Sequence, residues 1–232
     1  KPEASRAFDK ARQAIHRGDL TAADQQIRTA IREEPKEPRF FGLQGEIAYE
    51  NKQYLSAMAH YKTALKIDPN YYEYYLGKGL VLFKLGRKQA AISDLKKSNQ
   101  LLPNAVATHA LGEISLEQGN KQAAKEYFRA VMKGSGSQAE TAKLQFVKLD
   151  ITANPQAYVD IQTLVRDQEI ILKVTNSTPL EITQMSIVIS IESQDESRQK
   201  TVSLRYLKGY QDKLLKTGIR AVPSIPIAIG TR

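Results

Sequence analysis

Few side chains in this sequence could perform chemistry, and none falls into a catalytic or metal-binding pattern. The chain contains three histidines, His16, His60 and His109, and no cysteine. No histidine belongs to a His-Glu-x-x-His arrangement or has carboxylates at ligand spacing, so we interpret each as a half-exposed helix residue rather than a metal ligand. Glu33 and Glu34 are adjacent at a predicted helix end, which is typical of a solvated face and not of an acid/base pair.

Larger catalytic motifs are also absent from the sequence. It has no Gly-x-x-x-x-Gly-Lys-Ser/Thr phosphate loop and no Gly-x-Ser-x-Gly nucleophile elbow. The glycine- and serine-rich run at 134–137 is interpreted as a linker rather than a phosphate cradle. We therefore predict no catalytic residue, no metal ligand and no cofactor in this chain.

The composition describes a folded chain with an excess of positive charge. Its 232 residues are 41% hydrophobic, and 34 Lys and Arg against 25 Asp and Glu give a net charge of +9. Lysines of the middle region stand at outer positions of predicted helices, which indicates a solvated face and argues against a nucleic-acid partner. No apolar run approaches the roughly 20 residues of a membrane-spanning helix, so we expect no such segment. The start at Lys1, without Met or an apolar leader, predicts a fragment or a processed product.

Internal repetition organises the N-terminal part of the chain. Pro35, Pro69 and Pro103 are 34 residues apart. The same step, one residue short in the fourth copy, relates small residues of the predicted helices: Gly45, Gly79, Gly112, Ala57, Ala91 and Ala124. Such a fixed period is the signature of a repeat architecture.

This pattern resembles the tetratricopeptide repeat, in which a unit of about 34 residues forms two antiparallel helices that pack on each other and on the next unit. Small residues let the helix backbones approach closely, while Gly18, Gly86 and Gly119 are predicted to end first helices in a left-handed conformation. The resemblance predicts an all-α solenoid of four helix pairs at 4–37, 38–71, 72–104 and 105–136. A capping helix at 137–150 is predicted to cover the last repeat.

The first helices of such a stack line its inner face. We therefore predict that a protein or peptide partner binds at inward positions of these helices: Arg12, Arg39, Glu46, Tyr49, Glu73, Leu76, Leu80, Phe83, His109 and Glu113. Leu80 and Phe83 are favoured as apolar anchors, and packing against a neighbouring helix is the alternative. Some relatives bind a C-terminal carboxylate through a Lys/Asn/Lys/Arg clamp. This face instead carries Gly42, Glu46 and Glu73, which argues against chaperone-tail binding.

After Asn154 and Pro155 the apolar period changes from about 3.6 to about 2, which predicts strands. Alternating apolar residues occur at 159–161, 170–174, 187–191, 202–206 and 225–229, with turns predicted at 176–179 and 194–197. We interpret the Asn176-Ser177-Thr178 triplet as part of a turn rather than a glycosylation acceptor.

The sequence thus predicts an α+β chain of two domains. The solenoid with its cap occupies 4–152, and a β-rich, immunoglobulin-like module occupies 155–232 as a small antiparallel β-sandwich. A smaller sheet packed on the capping helix is the alternative.

A closer resemblance involves residues 3–12 (EASRAFDKAR), residues 74–79 (YYLGKG) and Asn154-Pro155 followed by the β-rich tail. These segments resemble the C-terminal half of bacterial periplasmic zinc metallopeptidases of the barrel-assembly-enhancing type. The resemblance implies a non-catalytic, periplasmic region that recognises misfolded envelope proteins or the outer-membrane barrel-assembly machinery. Zinc would be present only if a protease domain precedes Lys1. The alternative is a free-standing adaptor in envelope or pilus biogenesis.

Overall fold

The computed structural model describes residues 2–192, 197–220 and 227–231. The chain divides into two compact units, Lys1–Ala142 and Lys143–Arg232. The first unit is helical and the second is mainly β. The division falls inside the last helix, whereas the sequence places the domain boundary after residue 152.

The described part of the first unit consists of paired helices. In chain order the helices are α1 (Pro2–His16), α2 (Leu20–Glu33), α3 (Pro38–Glu50), α4 (Tyr54–Ile67), α5 (Tyr72–Lys84), α6 (Lys88–Leu101), α7 (Ala105–Glu117), α8 (Lys121–Val131) and α9 (Ser137–Asp150). Each odd-numbered helix from α1 to α7 pairs with the helix that follows it. The predicted α+β fold class with four helix pairs and an additional helix is confirmed. Coverage of the last repeat by α9 stays a prediction.

Three of the turns inside the helix pairs use glycine in a left-handed conformation, as predicted. The φ angles of Gly18, Gly86 and Gly119 are +75°, +73° and +79°. The second repeat has Lys52 at the corresponding place, with φ of +59°. Left-handed backbone is unfavourable for a residue with a Cβ atom, so this turn is less stable than the other three.

Small residues bring the paired helices into close contact, as predicted. A Cβ atom added at Gly79 would lie 2.9 Å from the Leu95 side chain, and one at Gly112 would lie 2.7 Å from the Phe128 ring. Ordinary van der Waals contact begins near 3.4 Å. Only glycine therefore fits at these crossings without a shift of the neighbouring side chain or of its helix.

The second unit is an antiparallel β-sandwich. Its described strands are β1 (Val159–Arg166), β2 (Glu169–Asn176), β3 (Ile182–Glu192), β4 (Ser197–Leu207), β5 (Asp212–Arg220) and β6 (Ile227–Thr231), after a 3₁₀ turn at Pro155–Ala157. One sheet has the order β1-β2-β5 and the other β4-β3-β6. Side chains from both sheets share one core that includes Leu172, Val174, Ile187, Ile189 and Leu204. The predicted small antiparallel β-sandwich is confirmed.

Asn176 is a structural turn residue. Its side chain is fully buried. The Asn176 amide nitrogen donates to the carbonyl oxygens of Leu180 at 2.6 Å and Lys208 at 3.1 Å. Its side-chain oxygen accepts hydrogen bonds from the backbone N–H and the hydroxyl of Thr178 at 3.0 Å and 2.9 Å. The interpretation of this asparagine as a turn residue is therefore confirmed.

Two features of the sandwich differ from the expected strands. Strand β5 was not predicted, because its most buried inward position holds Thr217, whose hydroxyl donates to the carbonyl of Ile170 at 2.6 Å. Tyr206 continues the predicted alternation of β4 but is 38% exposed, while Leu207 is buried. The alternation of buried and exposed residues in β4 changes where the strand passes Gln184 of β3, which has a φ angle of +57°. Residues 194–196 of the second predicted turn and Ile225 of the last predicted strand lie outside the described residues.

Candidate functional site

A cleft of about 630 Å³ opens on the face formed by α1, α3 and α5. These are the first helices of the first three pairs, which the repeat pattern places on the inner face. Of the ten residues predicted to bind a partner, seven line this cleft: Arg12, Arg39, Glu46, Tyr49, Glu73, Leu76 and Leu80. The cleft therefore brings together side chains that are far apart in the sequence.

The other three predicted residues lie outside the lining of this cleft. Phe83 is half-buried and packs against the core formed by α5, α6 and α7, which is the alternative that the sequence left open for Leu80 and Phe83. Leu76 and Leu80, which line the cleft, pack against the same core. His109 is 8% exposed, so the interpretation of it as a half-exposed residue is wrong. Its ring centroid is 5.4 Å from that of Phe128, and its Nδ1 is 3.7 Å from Glu113. Glu113 is exposed. Burial is the main cause that raises the pKa of Tyr49 in the cleft, and the charge of Glu113 is the smallest of the contributions that add to it.

Tyr61 contributes to the cleft from a second helix, which the sequence prediction missed. Its ring extends from α4 between two glycines. A Cβ atom at Gly45 of α3 would lie 2.9 Å from the ring, and one at Gly77 of α5 would lie 2.2 Å from it. Because both neighbours lack a side chain, the ring passes between α3 and α5 and its polar end lines the cleft. The signal in the sequence is this pair of glycines on consecutive first helices.

A cluster of tyrosines at the start of α5 forms one wall of the cleft. The ring centroids of Tyr71 and Tyr74 are 4.9 Å apart, and those of Tyr71 and Tyr72 are 5.5 Å apart. Tyr74 fits against α3 because position 42 is a glycine, where a Cβ atom would lie 2.5 Å from the ring. The Tyr72 hydroxyl donates to Glu73 at 3.0 Å. This hydrogen bond holds a carboxylate at the edge of the aromatic wall.

Arg39, which also lines the cleft, has an acidic partner within the protein. The Arg39 guanidinium donates to Glu37 at 2.8 Å and lies 5.7 Å from the centroid of the Phe8 ring. The Phe8 and Phe40 rings are themselves 5.4 Å apart. The hydrogen bond to Glu37 raises the pKa of Arg39, and the hydrogen bond from Arg39 lowers the pKa of Glu37. The charge of Arg39 is therefore partly balanced by Glu37, while 61% of the Arg39 side chain is exposed to solvent.

The pKa of the Glu46 carboxyl group in the cleft lining is raised. Its side chain remains accessible to solvent, but the surrounding walls remove part of its hydration and raise its pKa. The negative charges of Glu50 and Glu73 raise the pKa further, and the positive charges of Arg12 and His16 oppose them. The net effect makes negative charge at Glu46 less favourable than at a free surface.

The Tyr61 hydroxyl group is affected by burial and by the same carboxylates. Burial raises the pKa of Tyr61, and the neighbouring carboxylates of Glu46, Glu50 and Glu73 raise it further. The Tyr61 hydroxyl is therefore neutral at physiological pH and available as a hydrogen-bond donor. The cleft can hold polar and apolar groups of a ligand together, as peptide-binding sites do.

Within residues 2–192, 197–220 and 227–231, no group of three or more His, Cys, Asp or Glu side chains could hold a metal ion. Among those same residues, no helix is both long and apolar enough to cross a membrane.

Comparisons with known proteins agree with the helical pattern. Residues 45–86 match a family model described as TPR repeat, and residues 72–104 and 107–133 match one described as tetratricopeptide repeat. DnaJ homolog subfamily C member 3 from Gallus gallus is 29% identical over 100 residues, which are 42% of this chain and 20% of that protein. TPR repeat-containing protein MJ1428 from Methanocaldococcus jannaschii is 37% identical over 81 residues, which are 34% of this chain and 14% of that protein. The chain thus spans at most about one fifth of the length of these two relatives.

Solved structures show the same fold in the helical part. The pilF protein of Pseudomonas aeruginosa aligns with a TM-score of 0.62 at 19% identity, covering 67% of this chain and 71% of pilF. MamA 41-end from Desulfovibrio magneticus RS-1 aligns with a TM-score of 0.57 at 17% identity, covering 68% of this chain and 89% of that chain. At these identities the likeness concerns the fold alone. The matched segments, the helix pairs and the glycine crossings together identify residues 45–133 as tetratricopeptide repeats, which are protein–protein interaction modules.

Proposed function

We propose that this chain is a non-catalytic scaffold that binds a segment of another protein in the cleft between α1, α3 and α5. The observation that carries this proposal is the cleft of about 630 Å³, which combines aromatic, apolar and charged side chains from three repeats. Tyrosine and arginine are the residue types most often found at the centres of protein interfaces. A cleft that crosses the first helices of three successive pairs can accommodate an extended or helical peptide segment.

Two groups of side chains support a peptide ligand. Leu76 and Leu80 are half-buried and offer apolar contact, while Tyr71 is 37% exposed. Arg12, Tyr49 and the polar end of Tyr61 supply hydrogen-bonding groups along the same surface. We assign the partner contacts to these residues together with Arg39, Glu46 and Glu73. Glu113 acts at the edge of the surface, and Phe83 and His109 support α5 and α7.

Selection from a phage-displayed library of random peptides on the full chain tests this function. We expect recovered peptides to bind the wild-type chain, and Leu76→Ala to weaken them by about tenfold because an apolar contact is lost. The matched control is Leu55→Ala, at a position 63% exposed on α4, which should leave affinity unchanged. Peptides whose affinity is unaffected by Leu76→Ala and by substitutions at Tyr49 and Tyr72 would place binding elsewhere and contradict the proposal.

We further propose that this scaffold serves as the substrate-recognition region of a longer periplasmic zinc metallopeptidase. The proposal rests on the resemblance of residues 3–12 and 74–79 to such proteins, and its partners would be misfolded envelope proteins or the outer-membrane barrel-assembly machinery. A free-standing adaptor in envelope or pilus biogenesis is the competing context. The coding sequence upstream of Lys1 distinguishes them: a secretion signal and a His-Glu-x-x-His helix support the protease, and their absence supports the adaptor.

A further inference from the structure

The charge of the cleft is opposite in character to that of the whole chain. The chain has a net charge of +9, yet the cleft is lined by three carboxylates, those of Glu46, Glu50 and Glu73. Of the two arginines in the lining, Arg39 is paired with Glu37 at 2.8 Å. Arg12 is thus the remaining arginine that faces the three carboxylates. The cleft therefore has an excess of negative charge on a basic protein.

The carboxylates lie on neighbouring helices and act on one another. Glu46 and Glu50 belong to α3 and Glu73 to α5, and both neighbours raise the pKa of Glu46 in addition to the effect of burial. Arg12 and His16 of α1 oppose this effect without reversing it. A positively charged group placed among these carboxylates would relieve their repulsion and replace lost hydration.

Aromatic rings next to the carboxylates favour the same kind of group. Tyr71 and Tyr72 lie beside Glu73, and the Tyr72 hydroxyl holds that carboxylate at 3.0 Å. Lysine and arginine side chains are attracted to the faces of aromatic rings, and their aliphatic stems pack on apolar surface. Leu76 offers such a surface in the same cleft. A long cationic side chain can thus satisfy the carboxylates, the rings and the leucine together.

We propose that the occupant of the cleft is a partner segment that carries lysine or arginine, with its cationic group bound by Glu46 and Glu73 and its stem packed against the tyrosine wall. This inference rests on the proposed binding of a protein segment in the cleft. It specifies the chemistry of that segment and excludes an acidic tail, whose carboxylates would be repelled by the same groups. The specificity follows from charge complementarity, which selects among partners.

Three synthetic peptides with matched sequences test the inference by fluorescence anisotropy on the full chain. They consist of Leu-Ser-Lys, Leu-Ser-Gln or Leu-Ser-Glu repeats of equal length. We expect the lysine peptide to bind about tenfold more tightly than the glutamine peptide, and the glutamate peptide more weakly than either. The net charge of +9 opposes non-specific binding of the lysine peptide, so this order reports the cleft.

Paired variants locate the effect. Glu46→Gln combined with Glu73→Gln should remove the preference for lysine over glutamine. The matched control combines Glu117→Gln and Glu126→Gln, which removes two carboxylates outside the cleft lining and should leave the preference intact. Equal binding of the lysine and glutamine peptides by the wild-type chain, or tighter binding of the glutamate peptide, overturns the inference while leaving a peptide-binding cleft. If none of the peptides is sensitive to Leu76→Ala, both this inference and the proposed function fail.

The pH dependence provides a second readout. Because the pKa of Glu46 is raised, a proton competes with the cationic ligand at a higher pH than it would at an ordinary glutamate. Affinity for the lysine peptide should therefore fall as the pH is lowered from neutral, at a higher pH than an ordinary glutamate would cause, and Glu46→Gln should flatten this dependence. His16 of α1 also acts on Glu46 electrostatically, so His16→Gln serves as the control and should retain the fall. Full loss of the pH dependence in His16→Gln, with none in Glu46→Gln, would assign the effect to His16 and contradict the role of Glu46.

Discussion

Replacing Gly77 by alanine tests how tightly the cleft is built around Tyr61. The added Cβ atom would lie 2.2 Å from Cζ of Tyr61, 2.5 Å from Cε1 and 2.6 Å from the hydroxyl oxygen. To restore ordinary contact the ring must move by roughly 1 Å. Movement toward α3 is limited by the Gly45 backbone, because the ring already lies so close that a Cβ atom added there would be 2.9 Å from it. The substitution must therefore separate α3 from α5 or expel the ring.

The expected cost combines two opposing effects. Overpacking of a closely packed contact destabilises a protein by about 1–3 kcal/mol, and alanine regains about 1 kcal/mol over glycine through its higher helix propensity. We expect the free energy of unfolding of the helical unit to fall by about 1–2 kcal/mol. Urea unfolding followed by the helical circular dichroism signal measures this change. Affinity for a library-selected peptide should fall about tenfold, since the Tyr61 hydroxyl leaves its place in the cleft.

Two further variants separate loss of stability from damage to the cleft. Gly79→Ala on the same helix places a Cβ atom 2.9 Å from Leu95, away from the cleft. This substitution should destabilise the helical unit without lowering its affinity for the peptide. Adding Tyr61→Leu to Gly77→Ala should recover stability, because the smaller side chain removes the steric clash with the added Cβ atom. It should not recover peptide binding, because the tyrosine hydroxyl is lost. If the Gly77→Ala variant has the same urea midpoint as the wild-type chain and binds the peptide with the same affinity, the Tyr61 ring does not occupy the space between Gly45 and Gly77.

Other substitutions probe separate parts of the molecule. Lys52→Gly should raise the free energy of unfolding of the helical unit by about 0.5–1 kcal/mol in urea unfolding, since the turn needs a left-handed residue; a loss of stability would contradict this. Phe83→Ala should destabilise the helical unit by about 3 kcal/mol with little change in peptide affinity, whereas Leu80→Ala should reduce both. Reduced affinity of Phe83→Ala at full stability would restore its role as an anchor. Asn176→Ala should destabilise the β unit by about 3 kcal/mol, because buried carbonyls lose their donor; unchanged hydrogen exchange in β2 and β3 would refute this.

The helical unit could be predicted in detail because its signals are local and repeated. The 34-residue spacing of Pro35, Pro69 and Pro103 fixes the helix pairs, and each pair needs only contacts within itself and with its neighbours. The same regularity places the first-helix residues that line the cleft. Seven of the ten residues predicted from it do line the cleft.

The remaining differences arise where side chains or backbone depart from that regularity. Tyr61 was expected only as packing at a helix crossing, because its reach into the cleft depends on two glycines from different helices. Phe83 packs, like Leu76 and Leu80, against the core of α5, α6 and α7, but unlike them it does not line the cleft. In the β unit, Thr217 satisfies an inward position by a hydrogen bond rather than by apolar burial, so the hydrophobic pattern does not reveal that strand.

The most direct test of peptide binding in the cleft is a crystal structure of the full chain with a library-selected peptide. We predict peptide density between α1, α3 and α5, in contact with Leu76 and the Tyr61 hydroxyl and with a basic side chain at Glu46 and Glu73. Density on the second helices of the repeats, or on the β unit with the cleft empty, would contradict this prediction.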